Sequence, residues 1–119
     1  MSFMKELEDS IAARLVESGY CIFDRYVGPF TYVLYDKEDN CVAFAKVELS
    51  SVEGEYPEEP NFEPLRKEWE KEANSWFIKN WGLHRISAEF RFDFIGVLPI
   101  EGIGATIKHH TNVLGVRHG

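Results

Sequence analysis

Positive charge is in short supply. Thirteen Lys and Arg stand against twenty Asp and Glu, for a formal net charge of −7 and a pI near 5.1. Nucleic-acid binders carry a basic footprint, so the global field weighs against DNA, although an acidic domain can still hold a local basic groove. Cysteine is scarcer, with Cys21 and Cys41 alone. Without a CxxC or a four-ligand spacing, a structural zinc site is disfavoured, and both thiols are expected reduced and buried. No apolar run approaches the ~18 residues of a membrane span. MSFMKELEDS lacks an apolar stretch of signal-peptide type. The expectation is a cytoplasmic protein with no membrane partner. There is no GxGxxG and no P-loop, since EGIGA (101–105) is too short and precedes a strand. No Ser-His-Asp or Cys-His arrangement shows a local signature either.

What is present suits one globular domain over residues 1–119. Hydrophobic residues make up 45%, with nine Phe, five Tyr and three Trp to fill a core. Leu7, Ile11 and Leu15 recur at helical spacing, predicting an amphipathic helix over 3–18 that Gly19 stops. Strands are expected at 20–26, 30–36 and 41–49, separated by a Gly28-Pro29 turn and a polar turn at 37–40. Residues 50–64 carry five Glu and three Pro and read as a solvated acidic connector. A helix over 64–80 follows, with Leu65, Trp69, Ala73, Trp76 and Phe77 on one face and Gly82 just past its end. The alternation of ISAEFRFDFIGV predicts a strand over 86–97, with Phe90, Phe92 and Phe94 on one face and Arg91 and Asp93 on the other. Pro99 and EGIG then predict a turn, ATIKHH a last strand over 105–110, and the tail a single helical turn. Helix, three strands, helix, two strands give an α/β or α+β sandwich with a central mixed sheet flanked by helices.

Several residues stand out for their chemistry. Lys46 and Glu48 lie two apart in the otherwise interior strand CVAFAKVEL, so an ammonium and a carboxylate share one face. A plain ion pair at a sheet margin is one account of them. His109 and His110 are adjacent on a strand and point to opposite faces, so they suit a solvated strand end better than one metal ion. His84 is expected at the surface or capping after the helix, and His118 near the terminus. Arg91 and Asp93 read as an ion pair or a bond to a neighbouring strand. Trp69 and Trp76 read as core or interface. Arg66, Lys67, Lys71 and Lys79 alternate with Glu68, Glu70 and Glu72, a mixed solvated face instead of a phosphate track.

These segments resemble the YraN-like family, assigned to the PD-(D/E)XK, restriction-endonuclease-like superfamily of nucleases. ELEDSIAARLVESGYCIFDRY is similar to the family's opening helix and GY strand, with Glu8 at the helix glutamate. GPFTYVLYD stands at GEIDLIARD, FAKVE at FVEVK, RKEWEKEANSWFIKNWG at the long helix, RFDFIGV at RFDVV, and ATIKHHTNVL at the close. The resemblance covers nearly the whole chain and implies a restriction-endonuclease-like fold. It also implies a device in which Asp and Glu of the second and third strands hold Mg²⁺ and a Lys steadies the attacked phosphate.

The departures fall on that device. Thr31 stands at the Asp position, Lys46 at the Glu position and Glu48 at the Lys position, while Pro29 replaces the family's loop glutamate. At ~4 Å and an effective dielectric of 20, a dication and an ammonium repel by roughly 8 kcal/mol. The resemblance therefore implies a degenerate nuclease domain that binds or scaffolds without a cofactor, with a possible link to DNA processing and possible homodimers. The alternative is a Mg²⁺- or Mn²⁺-dependent DNA endonuclease with relocated ligands. In that reading Glu48 is the metal glutamate, Ser50 replaces the lysine, and Asp36, Glu38 or Glu8 supplies a second carboxylate.

Overall fold

A computed structural model describes residues 2–84, 89–102 and 104–115. Helix α1 (Ser2–Glu17) precedes strands β1 (Tyr20–Val27), β2 (Phe30–Asp36) and β3 (Cys41–Leu49). A 3-10 turn (Glu63–Leu65) leads into helix α2 (Arg66–His84), and β4 (Phe90–Ile100) and β5 (Gly104–His110) complete the order. The five strands form one mixed sheet in the order β1-β2-β3-β4-β5, in which β3 and β4 pair in parallel and the other neighbours pair antiparallel. A parallel pair needs a long crossover, and residues 50–84 supply it.

The two faces of the sheet are covered differently. Phe44, Phe90, Phe92 and Phe94 meet Trp69, Ala73 and Trp76 of α2, forming a layer of aromatic rings. Trp69 lies 5.1 Å edge-on from Phe30 and 4.7 Å from Phe62. On the opposite face Leu7, Ile11 and Leu15 of α1 cover Leu34, Ala43, Ala45, Ile95 and Val97. Residues 90–97 of β4 are all buried, as expected of a strand with helices on both sides. No described helix is long and apolar enough to cross a membrane, and Cys21 and Cys41 are unbridged.

Some boundaries differ from the sequence reading. α2 runs through His84, so Gly82 and His84 belong to the helix and do not follow its stop. A glycine costs a helix about 1 kcal/mol but does not end it, and no proline follows this one. Pro99 is in β4, paired with Ala105, and not in a turn. The β3 partners of β4 end at Val97, so the missing N–H of Pro99 faces no β3 carbonyl. Of the predicted strand over 86–97, positions 86–88 lie outside the described residues, as do His118 and the end of the tail.

The connector over 50–64 also differs from its reading. Its glutamates at 53, 55 and 58 are exposed, but Phe62 is 3% exposed and sits in the aromatic layer. Tyr56 OH donates to Thr106 Oγ1 at 3.1 Å, Glu59 Oε1 lies 3.2 Å from His110 Nδ1, and Pro57 crosses Gly96 so closely that an added Cβ would stand 3.1 Å from its Cδ. The segment is a strap laid over the sheet on the α2 side, held by those contacts.

Truncating the centre of the aromatic layer should be expensive. Phe44→Ala is expected to lower the unfolding free energy by about 3–5 kcal/mol in urea denaturation; a loss under about 1 kcal/mol would show that this layer is not the core.

Candidate functional site

The register places the three matched positions at one margin of the sheet. The β2–β3 ladder ends at Tyr32↔Ala45, so Thr31 and Lys46 are the next antiparallel pair. On the other side of β3, Lys46 pairs with Phe94 and Glu48 with Gly96. Thr31, Lys46 and Glu48 are all half-buried. Burial of β3 falls away from Lys46 onward, so the interior strand becomes a margin where its charges begin. Lys46 and Glu48 make no ion pair with each other, which removes the plain ion-pair account of them. Their Cα atoms are separated by about 6–7 Å along the strand.

Carboxylates do not gather there. Glu8 accepts a hydrogen bond from Tyr26 OH, and that bond chiefly raises the tyrosine pKa. Asp36 is held at the other end of β2, where its Oδ1 accepts the backbone N–H of Glu38 at 3.1 Å and of Asp39 at 3.2 Å. Tyr26 and Tyr20 are six residues apart on β1, and Tyr20 pairs with Asp36. Glu8 and Asp36 are thus separated by about 20 Å along the strands. Glu48 shares a strand face with Val42 and Phe44, which belong to the α2 side; α1, which carries Glu8, covers the opposite side. Glu38 is exposed on the β2–β3 turn. Among the described residues, no group of three His, Cys, Asp or Glu side chains is placed to hold a metal.

The densest polar chemistry lies elsewhere, on the α1 side of the sheet. Asp93 is fully buried and Arg91 is 2% exposed. Asp93 receives Arg91 Nε at 2.9 Å, Arg91 Nη2 at 3.2 Å and the Asn112 backbone N–H at 2.9 Å. His109 Nε2 is 2.7 Å from its Oδ2. An ionised carboxylate only accepts, so Nε2 carries the hydrogen in that bond. Arg91 then reaches Asp36 at 3.0 Å, Asp39 at 3.1 Å and the Tyr20 hydroxyl at 3.1 Å. Tyr20 in turn lies over the His109 ring, with centroids 5.0 Å apart.

Local sequence explains how this fits. Arg91 is registered beside Ala43, and Asp36 stands across Cys41 on the far side of β3. Small side chains at 41 and 43 let a guanidinium cross the strand to β2. Burial alone would push the Asp93 carboxyl up, but bonds from His109 and Arg91 outweigh it and hold its pKa below the ordinary value. Burial likewise works against the Arg91 charge, and Asp93 and Asp36 reverse that, raising its pKa. Burial pushes the Cys41 thiol up to about 11, leaving it a poor nucleophile.

Arg91 and Asp93 therefore form the ion pair the sequence suggested. The network joining them to Asp36, Asp39, Tyr20 and His109 was not foreseen. The histidines are a correction: His109 is not a solvated strand end but a partner of buried Asp93, and His110 faces the strap through Glu59. Their opposite directions do keep them from one site. Trp69 and Trp76 are core, and Trp76 Nε1 donates to Asp24 at 2.9 Å. On α2, Arg66 pairs with Glu63 and Glu70, in keeping with a mixed face.

With both oxygens of Asp93 and every side-chain N–H of Arg91 engaged, this pair acts as a clamp and offers a substrate no free group of its own. Asp93→Asn should cost about 3–5 kcal/mol at pH 7 in urea denaturation, because Arg91 loses its buried counter-charge. The native pKa of Asp93 is lowered, so its contribution is complete above the ordinary carboxylate range and is lost as pH falls below it. The gap between wild type and variant should narrow from about pH 4 downward; a gap independent of pH would contradict the ionised clamp. Compared with known proteins, the chain matches no protein-family model and no curated protein.

Proposed function

We propose that the chain is a restriction-endonuclease-like domain that no longer cuts and works by binding or scaffolding, with its ancestry in DNA processing. The observation that carries this reading is the position of Lys46. It follows the last registered β2–β3 pair, opposite Thr31, where the resemblance calls for a metal carboxylate. A divalent ion needs one or two carboxylates, and here an ammonium takes the place of one and a hydroxyl the place of the other. Glu48 is two residues away, too far along the strand to substitute for the residue at 46.

The strap supports the same reading. Pro57 lies against Gly96, the strand partner of Glu48, on the side of the sheet where Glu48 sits. A phosphate backbone approaching that margin would meet a polypeptide bearing exposed Glu55 and Glu58, which oppose it electrostatically. The mixed sheet with one helix on each side, and the order of the elements, fit the fold that the resemblance implies.

Calorimetric titration with Mg²⁺ and Mn²⁺, run beside cleavage assays on labelled duplex, flap and junction DNA, tests the proposal. The expected result is no saturable binding at millimolar metal and no cutting. Divalent-dependent nicking abolished by Glu48→Ala would overturn it in favour of the relocated-ligand enzyme. The combined variant Thr31→Asp, Lys46→Glu, Glu48→Lys should gain metal affinity, and an unchanged affinity would show that these are not the family's metal positions.

A further inference from the structure

A groove of about 1000 Å³ opens between α1, the β4–β5 hairpin and Glu53 near the start of the strap. Its accessible apolar part is Pro99 and Ile100, with Leu7 already packed in the core beneath them. Its rim carries four carboxylates, Glu6, Asp9, Glu53 and Glu101, and no Lys or Arg is among its described lining residues. The nearest recorded countercharge is Lys5, whose ammonium is 3.9 Å from Asp9 with both side chains exposed. The groove is preformed: Ser10 Oγ accepts the Ala105 backbone N–H at 3.1 Å, and Arg14 Nε donates to Ala105 O at 3.4 Å, stitching α1 to β5.

Three apolar side chains are exposed near this end of the sheet. Ile100 is 36% exposed, Val52 next to Glu53 is 53% exposed, and Leu49 at the end of β3 is 43% exposed. They come from three separate segments that converge at one end of the sheet, since Leu49 is registered with Val97, two residues before Pro99. Single exposed apolar residues need no explanation; Ile100 is distinguished from the other two because it also lines the groove.

We infer that this groove docks a basic, apolar-anchored peptide segment of a partner protein. Charge complementarity selects the occupant. Four carboxylates repel phosphate, which removes nucleic acid and acidic lipid headgroups. The carboxylates are spread along a rim and form no metal-holding group among the described residues. A purely hydrophilic cation would leave the Pro99 and Ile100 surface wet. A segment alternating Lys or Arg with Leu satisfies both parts, its ammonium heads at the rim and its aliphatic side chains on the floor. The docking stands apart from the β2–β3 margin and does not depend on whether that margin binds metal.

Fluorescence anisotropy with the full chain and a labelled nine-residue peptide alternating Lys and Leu tests the assignment. Two matched peptides, one with Leu replaced by Ser and one with Lys replaced by Glu, serve as probes of each component. The Lys–Leu peptide should bind, and both replacements should weaken it by about tenfold or more. Glu6→Lys with Glu101→Lys should abolish binding, and Ile100→Ser should weaken it. Glu38→Lys with Glu68→Lys, the same charge change on exposed positions elsewhere, should leave most of it. Equal losses in the two double variants would overturn the site, since attraction to the net charge would then explain everything. Equal binding of the Lys–Ser peptide, or no binding by the Lys–Leu peptide, would overturn it too. So would a concentration-dependent dimer in sedimentation that Ile100→Ser dissolves, because the occupant would then be a second copy of the chain. Circular dichroism melts of each variant confirm that folding is retained.

Discussion

Asp93 must be ionised and must be buried, and much of the sheet is arranged to permit both. Its partners come from β4, β5 and the segment after β5, and Arg91 extends the set to β1, β2 and the turn after β2. A buried ion pair is weak evidence for stability, because desolvation offsets most of the attraction. It is strong evidence for register. A slip of one residue in β4 would turn both Arg91 and Asp93 into the aromatic layer, away from Asp36, Asp39, Tyr20 and His109. The clamp therefore fixes where β2 ends, how β5 is aligned and which face each side chain takes.

That constraint separates the two sides of the molecule. On the α1 side, the small residues of β3 give the guanidinium its passage, and α1 covers the rest. On the α2 side, the rings of Phe44, Phe92 and Trp69 set the distance between helix and sheet, and Phe62 ties the strap to them. The margin at Thr31 and Lys46 lies beyond both, and among the described residues no group of three His, Cys, Asp or Glu side chains is placed there to hold a metal. At the centre of the clamp, bonds to their partners raise the pKa of Arg91 and lower that of Asp93 against the effect of burial. Perturbed groups often mark catalytic centres; here complete hydrogen bonding gives them a structural role.

The parts of the fold written in local periodicity were legible. Strands 30–36 and 41–49 have the boundaries that alternation and turn residues imply; α1 buries Leu7, Ile11 and Leu15 and α2 buries Trp69, Ala73 and Trp76 as their spacing predicts, whereas Leu65 falls in the 3-10 turn and is exposed. Features that depend on distant partners were not. FRFDF shows that Arg91 and Asp93 share a face, but not that β5 brings His109 to the same carboxylate. Five glutamates made the strap look solvated, while Tyr56, Pro57 and Phe62 alone hold the information that it is docked. Glu8, Asp36 and Glu48 looked equally available as carboxylates, and only the register reveals that they stand at different ends and sides of the sheet.

The proposed function rests on an ammonium at a strand margin where the resemblance implies a carboxylate, and diffraction can inspect that margin directly. Crystals soaked in manganese and measured at a wavelength where the metal scatters anomalously should show no peak between β2 and β3. An ordered peak within bonding distance of Glu48, with Lys46 turned away, would contradict the account and return the margin to metal chemistry.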